Sequence, residues 1–169
     1  MERAARMSPC AAYRYDLWRR WELRGPVLLW ILLNPSTADA DRDDATTVRC
    51  IRFAARWGYG AIRVVNLFGM RATDPRHLYK VQHPTGRQND ETIREALQTA
   101  DGLVCAWGNN GRLNGRGLTV RDMLRRNRCE PHIFGLTRLG EPTHPLYVGY
   151  SAVTHLWRIN ASADTSDTN

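Results

Sequence analysis

Polar segments follow each of the long apolar runs in this sequence, and they hold the side chains that could do chemistry. The first run, "VLLWILL", ends before Asn34, which is followed by Pro35 and Ser36 in "NPSTAD". Proline biases the residue before it towards an extended backbone, so Asn34 should end a strand sharply. The amide of Asn34 could hold a water or a substrate edge in one orientation. The alternative is a turn residue that bonds its own backbone.

A group of acidic residues follows this segment: Asp39, Asp41, Asp43 and Asp44. One carboxylate held near the end of the strand could act as a general base, and Asp39 and Asp44 are the candidates. The alternative is a solvated loop whose last residue, Asp44, caps the next helix.

The second apolar run contains an amide, Asn66 in "VVNLF". A buried amide needs partners, which either the fold or a ligand supplies. Asn and Gln amides recognise base edges, and Phe68 offers a face on which a base could stack. Arg71 in the following loop could hold a phosphate, although a solvated arginine fits the pattern equally well.

The third and fourth apolar runs also end in polar loops. Trp107, Gly108 and Asn109 begin "WGNNGRLNGRG", whose backbone N–H groups could face an anion or form a plain flexible connection. The fourth loop holds His144, which could donate to a developing anion, although a lone loop histidine is more often structural. Leu146 and Tyr147 follow it and suit a wedge into stacked bases.

The runs that precede these loops predict a parallel sheet. Apolar stretches at 27–33, 61–67, 102–107 and 132–136 alternate with helical spacing at 45–57, 89–100 and 118–126, and Asp44 and Asn89 are the predicted caps of the first two helices. The pattern predicts a three-layer α/β/α sandwich with a four-stranded parallel sheet, plus an N-terminal hairpin strand that leads into 27–33. Ligands of such sheets bind beyond the carboxyl ends of the strands.

Length and charge bound the class of protein. A chain of 169 residues fits one domain, expected at 12–159, with loosely ordered tails at 1–11 and 160–169. The net charge is +7, and nearly all of the basic residues are arginines, which favours nucleic acid or nucleotides as partners. An arginine-rich composition inherited from the genome would explain the same excess.

The remaining features set expectations for compartment and cofactors. No apolar run approaches the length of a membrane span or a signal peptide, so we expect a cytoplasmic protein without membrane contact. We also expect a monomer. The cysteines, Cys10, Cys50, Cys105 and Cys129, form no C-x-x-C pair. We therefore expect reduced thiols rather than an iron-sulfur cluster.

The order of the motifs resembles the uracil-DNA glycosylase superfamily. "WILLNPSTAD" is similar to the first motif of its mismatch-specific branch, and "IRVVNLF" is similar to the segment whose Asn reads the base. "GLVCAWGNNG" is similar to the third-strand segment, and "THPLY" resembles the late His-Pro motif with its intercalating loop. The same segments more closely resemble an uncharacterised bacterial and phage domain family over about residues 13–150, for which no activity is settled.

The superfamily resemblance implies a monofunctional DNA glycosylase that hydrolyses the N-glycosidic bond of a flipped base. In that mechanism Asn34 would orient a water, with Asp39 or Asp44 as the alternative base. His144 would stabilise the leaving base, and Asn66 would read the base edge. This mechanism would need no metal and no organic cofactor.

Two departures from the superfamily pattern bear on the substrate. Ser36 stands where an aromatic residue often excludes larger bases, which favours a bulkier modified or damaged base over uracil. "HPLY" lacks the serine that normally follows His-Pro. Two alternatives stay open at this point, a nucleic-acid or nucleotide-binding module without catalysis and a hydrolase of free nucleosides or nucleotides.

Overall fold

The computed structural model describes residues 1–159, and the predicted tail at 160–169 lies outside them. The described residues form one sheet with helices on both of its faces. None of the helices in this range is both long and apolar enough to cross a lipid bilayer.

The sheet holds seven strands in the described part of the chain: β1 (Glu2–Met7), β2 (Arg14–Arg20), β3 (Val27–Leu32), β4 (Ala61–Asn66), β5 (Gly102–Cys105), β6 (His132–Ile133) and β7 (His155–Leu156). Their order across the sheet is β1-β2-β4-β3-β5-β6-β7. The central neighbours β4, β3, β5 and β6 pair in parallel, whereas the pairs β1/β2, β2/β4 and β6/β7 are antiparallel.

The prediction of an α/β fold is confirmed, and the four predicted central strands pair in parallel. The sheet as a whole is mixed and has seven strands, so the prediction of only one further strand, an N-terminal hairpin strand, is wrong. The additional strands lie at the sheet edges, where β1 is mostly exposed and β7 is fully exposed. Such strands lack the continuous apolar run that marks a strand buried on both faces. The expected loose N-terminus, 1–11, is also wrong, because β1 pairs with β2 from Glu2 to Met7. The hairpin partner of β2 is therefore β1 and not β3.

Three helices cover the sheet: α1 (Ala45–Arg56), α2 (Asn89–Thr99) and α3 (Arg116–Arg126). Successive side chains of a strand point to opposite faces, and β3 is apolar on both. Leu29 and Ile31 pack in the cluster that contains the inner faces of α2 and α3, whereas Leu28 and Trp30 pack in the cluster that contains α1. The helices therefore form the two outer layers.

The two predicted helix caps have different outcomes. Asp44 precedes α1 and accepts a hydrogen bond from the Thr47 backbone N–H at 2.8 Å, as predicted. The prediction for Asn89 is wrong, because Asn89 lies inside the first turn of α2 and is buried. Its amide donates to the backbone oxygens of Asn66 and Leu67 at 2.8 and 3.0 Å, and so ties α2 to the end of β4.

Candidate active site

A cavity of about 610 Å³ lies at the carboxyl ends of the four parallel strands, and we call it the strand-end cavity. Residues from the loops after β3, β4, β5 and β6 all line it, because parallel strands deliver their following loops to one edge of the sheet. The residues of the sequence-based site that line it are Asn34, Ser36, Asp44, Trp107, Gly108, Asn109, His144, Leu146 and Tyr147.

Asn34 is held in one orientation at the end of β3. Its side-chain nitrogen donates to the backbone oxygens of Pro35 at 2.9 Å and Ala72 at 2.8 Å. Both amide hydrogens are thus used by the fold, and the side-chain oxygen is left as the acceptor that Asn34 can offer in the cavity. An acceptor fixed in this way suits a water or a donor group of a ligand.

Asp44 carries the only carboxylate that lines the strand-end cavity among the described residues. Its Oδ1 accepts the capping bond from Thr47, which holds the side chain at the start of α1. A cap needs one oxygen, so the second carboxylate oxygen stays available to a water or to positive charge in the cavity.

His144 is a neutral donor at the cavity wall. Burial lowers the pKa of His144 to about 4, and the negative charge of Asp44 opposes this shift only in part. The Leu146 backbone N–H donates to Nδ1 of His144 at 3.3 Å. Because Nδ1 is an acceptor, the proton of the neutral imidazole lies on Nε2, which can donate a hydrogen bond.

Trp107, Gly108 and Asn109 build a further part of the wall, and Gly108 lies beside His144. Trp107 is buried, and its Nε1 donates to Glu141 at 2.7 Å. Gly108 has a φ of +73°, a region that strongly favours glycine, and its N–H donates to the Pro142 oxygen at 2.8 Å. Asn109 accepts from the Thr137 hydroxyl at 2.5 Å, so its amide nitrogen is available to a ligand.

Sequence reasoning missed Glu141 and Arg121, which support this wall. Glu141 is buried, and it accepts from Arg121 at 2.9 Å as well as from Trp107. The two partners lie 20 and 34 residues away in the chain. A carboxylate that serves only long-range partners has no local sequence pattern by which to recognise it.

Leu146 and Tyr147 project from the rim of the cavity in a single 3-10 turn, Pro145–Tyr147. Leu146 is 44% exposed and Tyr147 is 84% exposed. We call the segment 144–150 the rim loop. It presents an apolar projection beside the cavity, the geometry that a wedge between bases requires.

Arginines of α1 hold the rim loop in place through hydrogen bonds. Arg49 donates to the backbone oxygens of Pro145, at 2.6 Å, and Val148, and its guanidinium lies 4.3 Å from the ring centre of Tyr150. Arg52 donates to the Tyr150 hydroxyl at 3.0 Å, and Arg56 donates to the Tyr150 backbone oxygen. The helix that Asp44 caps therefore also positions His144 and its neighbours.

Phe68 and Asn66, predicted to contact a base, are buried in the fold and do not line the cavity. Phe68 is 0% exposed in the core beneath α2 and α3, so the prediction of a stacking face is wrong. Asn66 is 1% exposed, and its oxygen accepts from the buried Arg14 at 3.4 Å. Asn66 therefore does not reach the cavity in this structure, and the prediction that it contacts a base edge is also wrong. The nitrogen of Asn66 and Nε of Arg14 have no hydrogen-bond partner within residues 1–159.

The other predicted site residues lie beside the cavity. Pro35 is buried and accepts from Asn34 and from the Ala72 N–H. Arg71 is partly exposed and contacts the Ser36 and Ala11 oxygens at 3.4 and 3.5 Å. Asp39 does not line the cavity.

Asp39 instead accepts hydrogen bonds within the loop that follows β3. Its Oδ1 accepts from the N–H groups of Asp41 and Arg42, both at 2.9 Å, and these bonds lower the pKa of Asp39. Of the two candidate bases, Asp44 is thus the one placed at the cavity. Residues 1–159 contain no group of three or more His, Cys, Asp and Glu side chains that could hold a metal ion.

Comparison with known proteins places the chain in an uncharacterised domain family. The family model that matches is described as "Protein of unknown function (DUF1643)" and covers residues 14–146, from β2 to the rim loop. No curated protein and no solved structure matches the chain. The expected membership of an uncharacterised family is confirmed, and the resemblance to the uracil-DNA glycosylase superfamily stays a prediction. Because the match spans most of the described domain, the chain belongs to the DUF1643 family.

Proposed function

We propose that this protein hydrolyses the N-glycosidic bond of a nucleotide flipped out of DNA into the strand-end cavity. The observation that carries the proposal is the meeting of Asn34, Asp44 and His144 in that cavity. The volume of about 610 Å³ lies within the usual range of ligand sites and has room for a nucleotide.

The leaving base would be stabilised by His144. As the bond to the sugar lengthens, the base becomes anionic and the sugar cationic. A neutral imidazole with its proton on Nε2 can donate to the base, and it requires no reorganisation at the moment of reaction. The Leu146 N–H fixes this tautomer by occupying Nδ1.

Asn34 would orient the attacking water, and Asp44 would stabilise the sugar and act as the base. The oxygen of Asn34 accepts a hydrogen bond from the water and so aims a water lone pair at the sugar carbon. The carboxylate of Asp44 stabilises the cationic sugar and takes the proton that the water loses. Neither step needs a metal or an organic cofactor.

The strand would be opened by the rim loop. Leu146 and Tyr147 fill the gap left by the flipped nucleotide, which offsets part of the few kcal/mol lost on unstacking. The net charge of +7 attracts the phosphate backbone. With Asn66 buried, contact with the base edge passes to the free amide nitrogen of Asn109.

The test is incubation of the protein with duplexes that carry different modified bases, followed by alkali, which breaks the strand at abasic sites. We expect breaks with at least one bulky modified base. Asn34→Ala should abolish these breaks yet keep DNA affinity within about tenfold, or 1.4 kcal/mol. Salt-sensitive binding without any break would instead select a binding module, and competition by mononucleotides but not DNA would select a hydrolase of free nucleotides.

A further inference from the structure

A second cavity, of about 680 Å³, lies on the same edge of the sheet. We call it the tyrosine cavity, because Tyr13 and Tyr15 form part of its wall with ring centres 6.1 Å apart and planes 6° from parallel. The remaining wall comes from residues 8–10 and 82–88 and from Asn114.

The chemistry of the tyrosine cavity suits an aromatic ligand with negative charge nearby. Its lining includes amide side chains, hydroxyls and Arg87, and no carboxylate among the described residues. Tyr13 is partly exposed, and its hydroxyl donates to the His83 backbone oxygen at 2.9 Å, which holds the ring in place. Fixed aromatic rings bind nucleobases by stacking without requiring a particular base.

Residues 70–72 connect the walls of the two cavities. Ala72 lines the strand-end cavity, whereas Met70 bonds to Pro84 at 3.0 Å and bridges to Tyr13 in the wall of the tyrosine cavity. Three extended residues span roughly 7 Å between the first and last Cα. A nucleic-acid strand rises about 3.4 Å per nucleotide when stacked, and further when unstacked, so neighbouring nucleotides can reach across.

Arg71 belongs to the segment 70–72, which connects the two cavity walls. Its guanidinium contacts the oxygen of Ser36, which lines the strand-end cavity, and the oxygen of Ala11, which adjoins Cys10 in the tyrosine cavity. A partly exposed guanidinium with only weak, long backbone contacts can turn its remaining donors to a phosphate.

We propose that the tyrosine cavity is a second nucleotide subsite, which holds a base that flanks the nucleotide in the strand-end cavity, with Arg71 on the phosphate that joins them. The inference rests on the proposed function in taking nucleic acid as the ligand. It does not depend on catalysis.

Alkylation of cysteines in the intact protein tests the subsite. Cys10 is exposed in the tyrosine cavity, and hydrogen bonds from Ser8 and the backbone lower the pKa of its thiol, which favours reaction with iodoacetamide. Cys129 is partly exposed at the opposite edge of the sheet and serves as the reference in the same tube. Single-stranded oligothymidylate of about eight nucleotides is the probe, its binding followed by fluorescence anisotropy.

We expect bound oligothymidylate to slow alkylation of Cys10 at least about fivefold and to leave Cys129 unchanged. Tyr13→Leu should weaken binding about tenfold, whereas Tyr13→Phe, which keeps the ring, and Tyr59→Leu, at the opposite edge, should bind like the wild type. If Tyr13→Leu does not fold, protection of Cys10 in the wild-type protein still tests the subsite.

Equal alkylation of Cys10 with and without bound oligothymidylate would overturn the subsite, as would equal slowing of both cysteines or a failure of the oligonucleotide to bind. The outcomes also separate the two proposals. If Cys10 is protected but no modified base is released, the subsite proposal stands and the glycosylase proposal fails. If a base is released but Cys10 is not protected, the glycosylase proposal stands and the subsite proposal fails.

Discussion

Arg49 of α1 donates a 2.6 Å hydrogen bond to the backbone oxygen of Pro145, the residue after His144. A second bond from the same guanidinium reaches Val148. The histidine and the rim projection are therefore held on a helix whose first turn is capped by Asp44. Through α1, the carboxylate and the imidazole of the candidate site share one rigid support.

The anchoring role of Arg49 predicts a selective loss in a variant. Arg49→Ala should lower base release more than about tenfold and weaken the preference for duplex, because the rim loop loses its backbone bonds at Pro145 and Val148. Arg52→Ala is the matched control, because it removes no bond to the loop backbone, only the exposed bond to the Tyr150 hydroxyl and a 5.5 Å contact with the Tyr150 ring. It should stay within about twofold. Rates under single-turnover conditions measure both, and equal effects of the two substitutions would remove the anchoring role.

The pKa of His144, about 4, predicts the pH dependence of base release. An imidazole with an ordinary pKa near 6.5 would be mostly charged at pH 5.5, but His144 stays neutral there and keeps its donor on Nε2. We expect no loss of rate from this group between pH 7 and about pH 5, and a loss as the pH approaches 4. A ¹⁵N NMR titration of the ring gives the pKa and the tautomer directly. A midpoint near 6.5 would contradict the lowered pKa, and a proton on Nδ1 of the neutral ring would contradict the tautomer.

The same shift predicts a change in stability. The unfolded state binds a proton below pH 6.5 and the folded state does not until about pH 4, so His144 lowers the free energy of unfolding as the pH falls through this window. The loss should be on the order of 2 kcal/mol, less than the full shift because the side chain is partly hydrated. His144→Gln should flatten this part of the pH profile in urea unfolding experiments.

Asp44 and Asp39 offer a matched pair of substitutions. Asp44→Asn keeps a good helix cap, so the free energy of unfolding should change by less than about 0.5 kcal/mol, while base release falls at least about 100-fold. Asp39→Asn lies outside the strand-end cavity and should change the rate less than about threefold. The opposite order of effects would assign the base to Asp39.

The exposed rim predicts a difference between duplex and single strands. Leu146→Ala and Tyr147→Ala should slow base release from duplex about tenfold more than from single strands, because only a duplex leaves a gap to be filled. Both side chains are exposed, so thermal unfolding should be nearly unchanged. A similar loss on both substrates would argue against a wedge.

The contact between Trp107 and Glu141 predicts a large effect on stability. Glu141→Ala leaves the buried Trp107 N–H and the Arg121 guanidinium without their shared acceptor, which should cost about 2 to 4 kcal/mol. Glu130→Ala removes an exposed carboxylate and should cost less than about 0.5 kcal/mol. Urea unfolding of the two variants measures this difference.

The sequence alone determined the features that rest on local chemistry. The run before Asn34 is apolar at every position because β3 is buried on both faces, and Asp44 is recognisable as a cap because its partner is three residues away. Parallel pairing of four such runs brings their loops to one edge, which is why Asn34 and His144 could be assigned to the same site from their places in the chain.

Only the tertiary structure decided which polar and aromatic side chains face the cavity. Phe68 fits a stacking platform and a core position equally well by sequence, and the helices packed over it make it core. Asn66 turns towards Arg14, 52 residues away, and the supports at Arg49 and Glu141 join segments that are 96 and 34 residues apart. Such contacts are set by the three-dimensional packing of distant elements, and the local periodicity of a sequence carries no record of them.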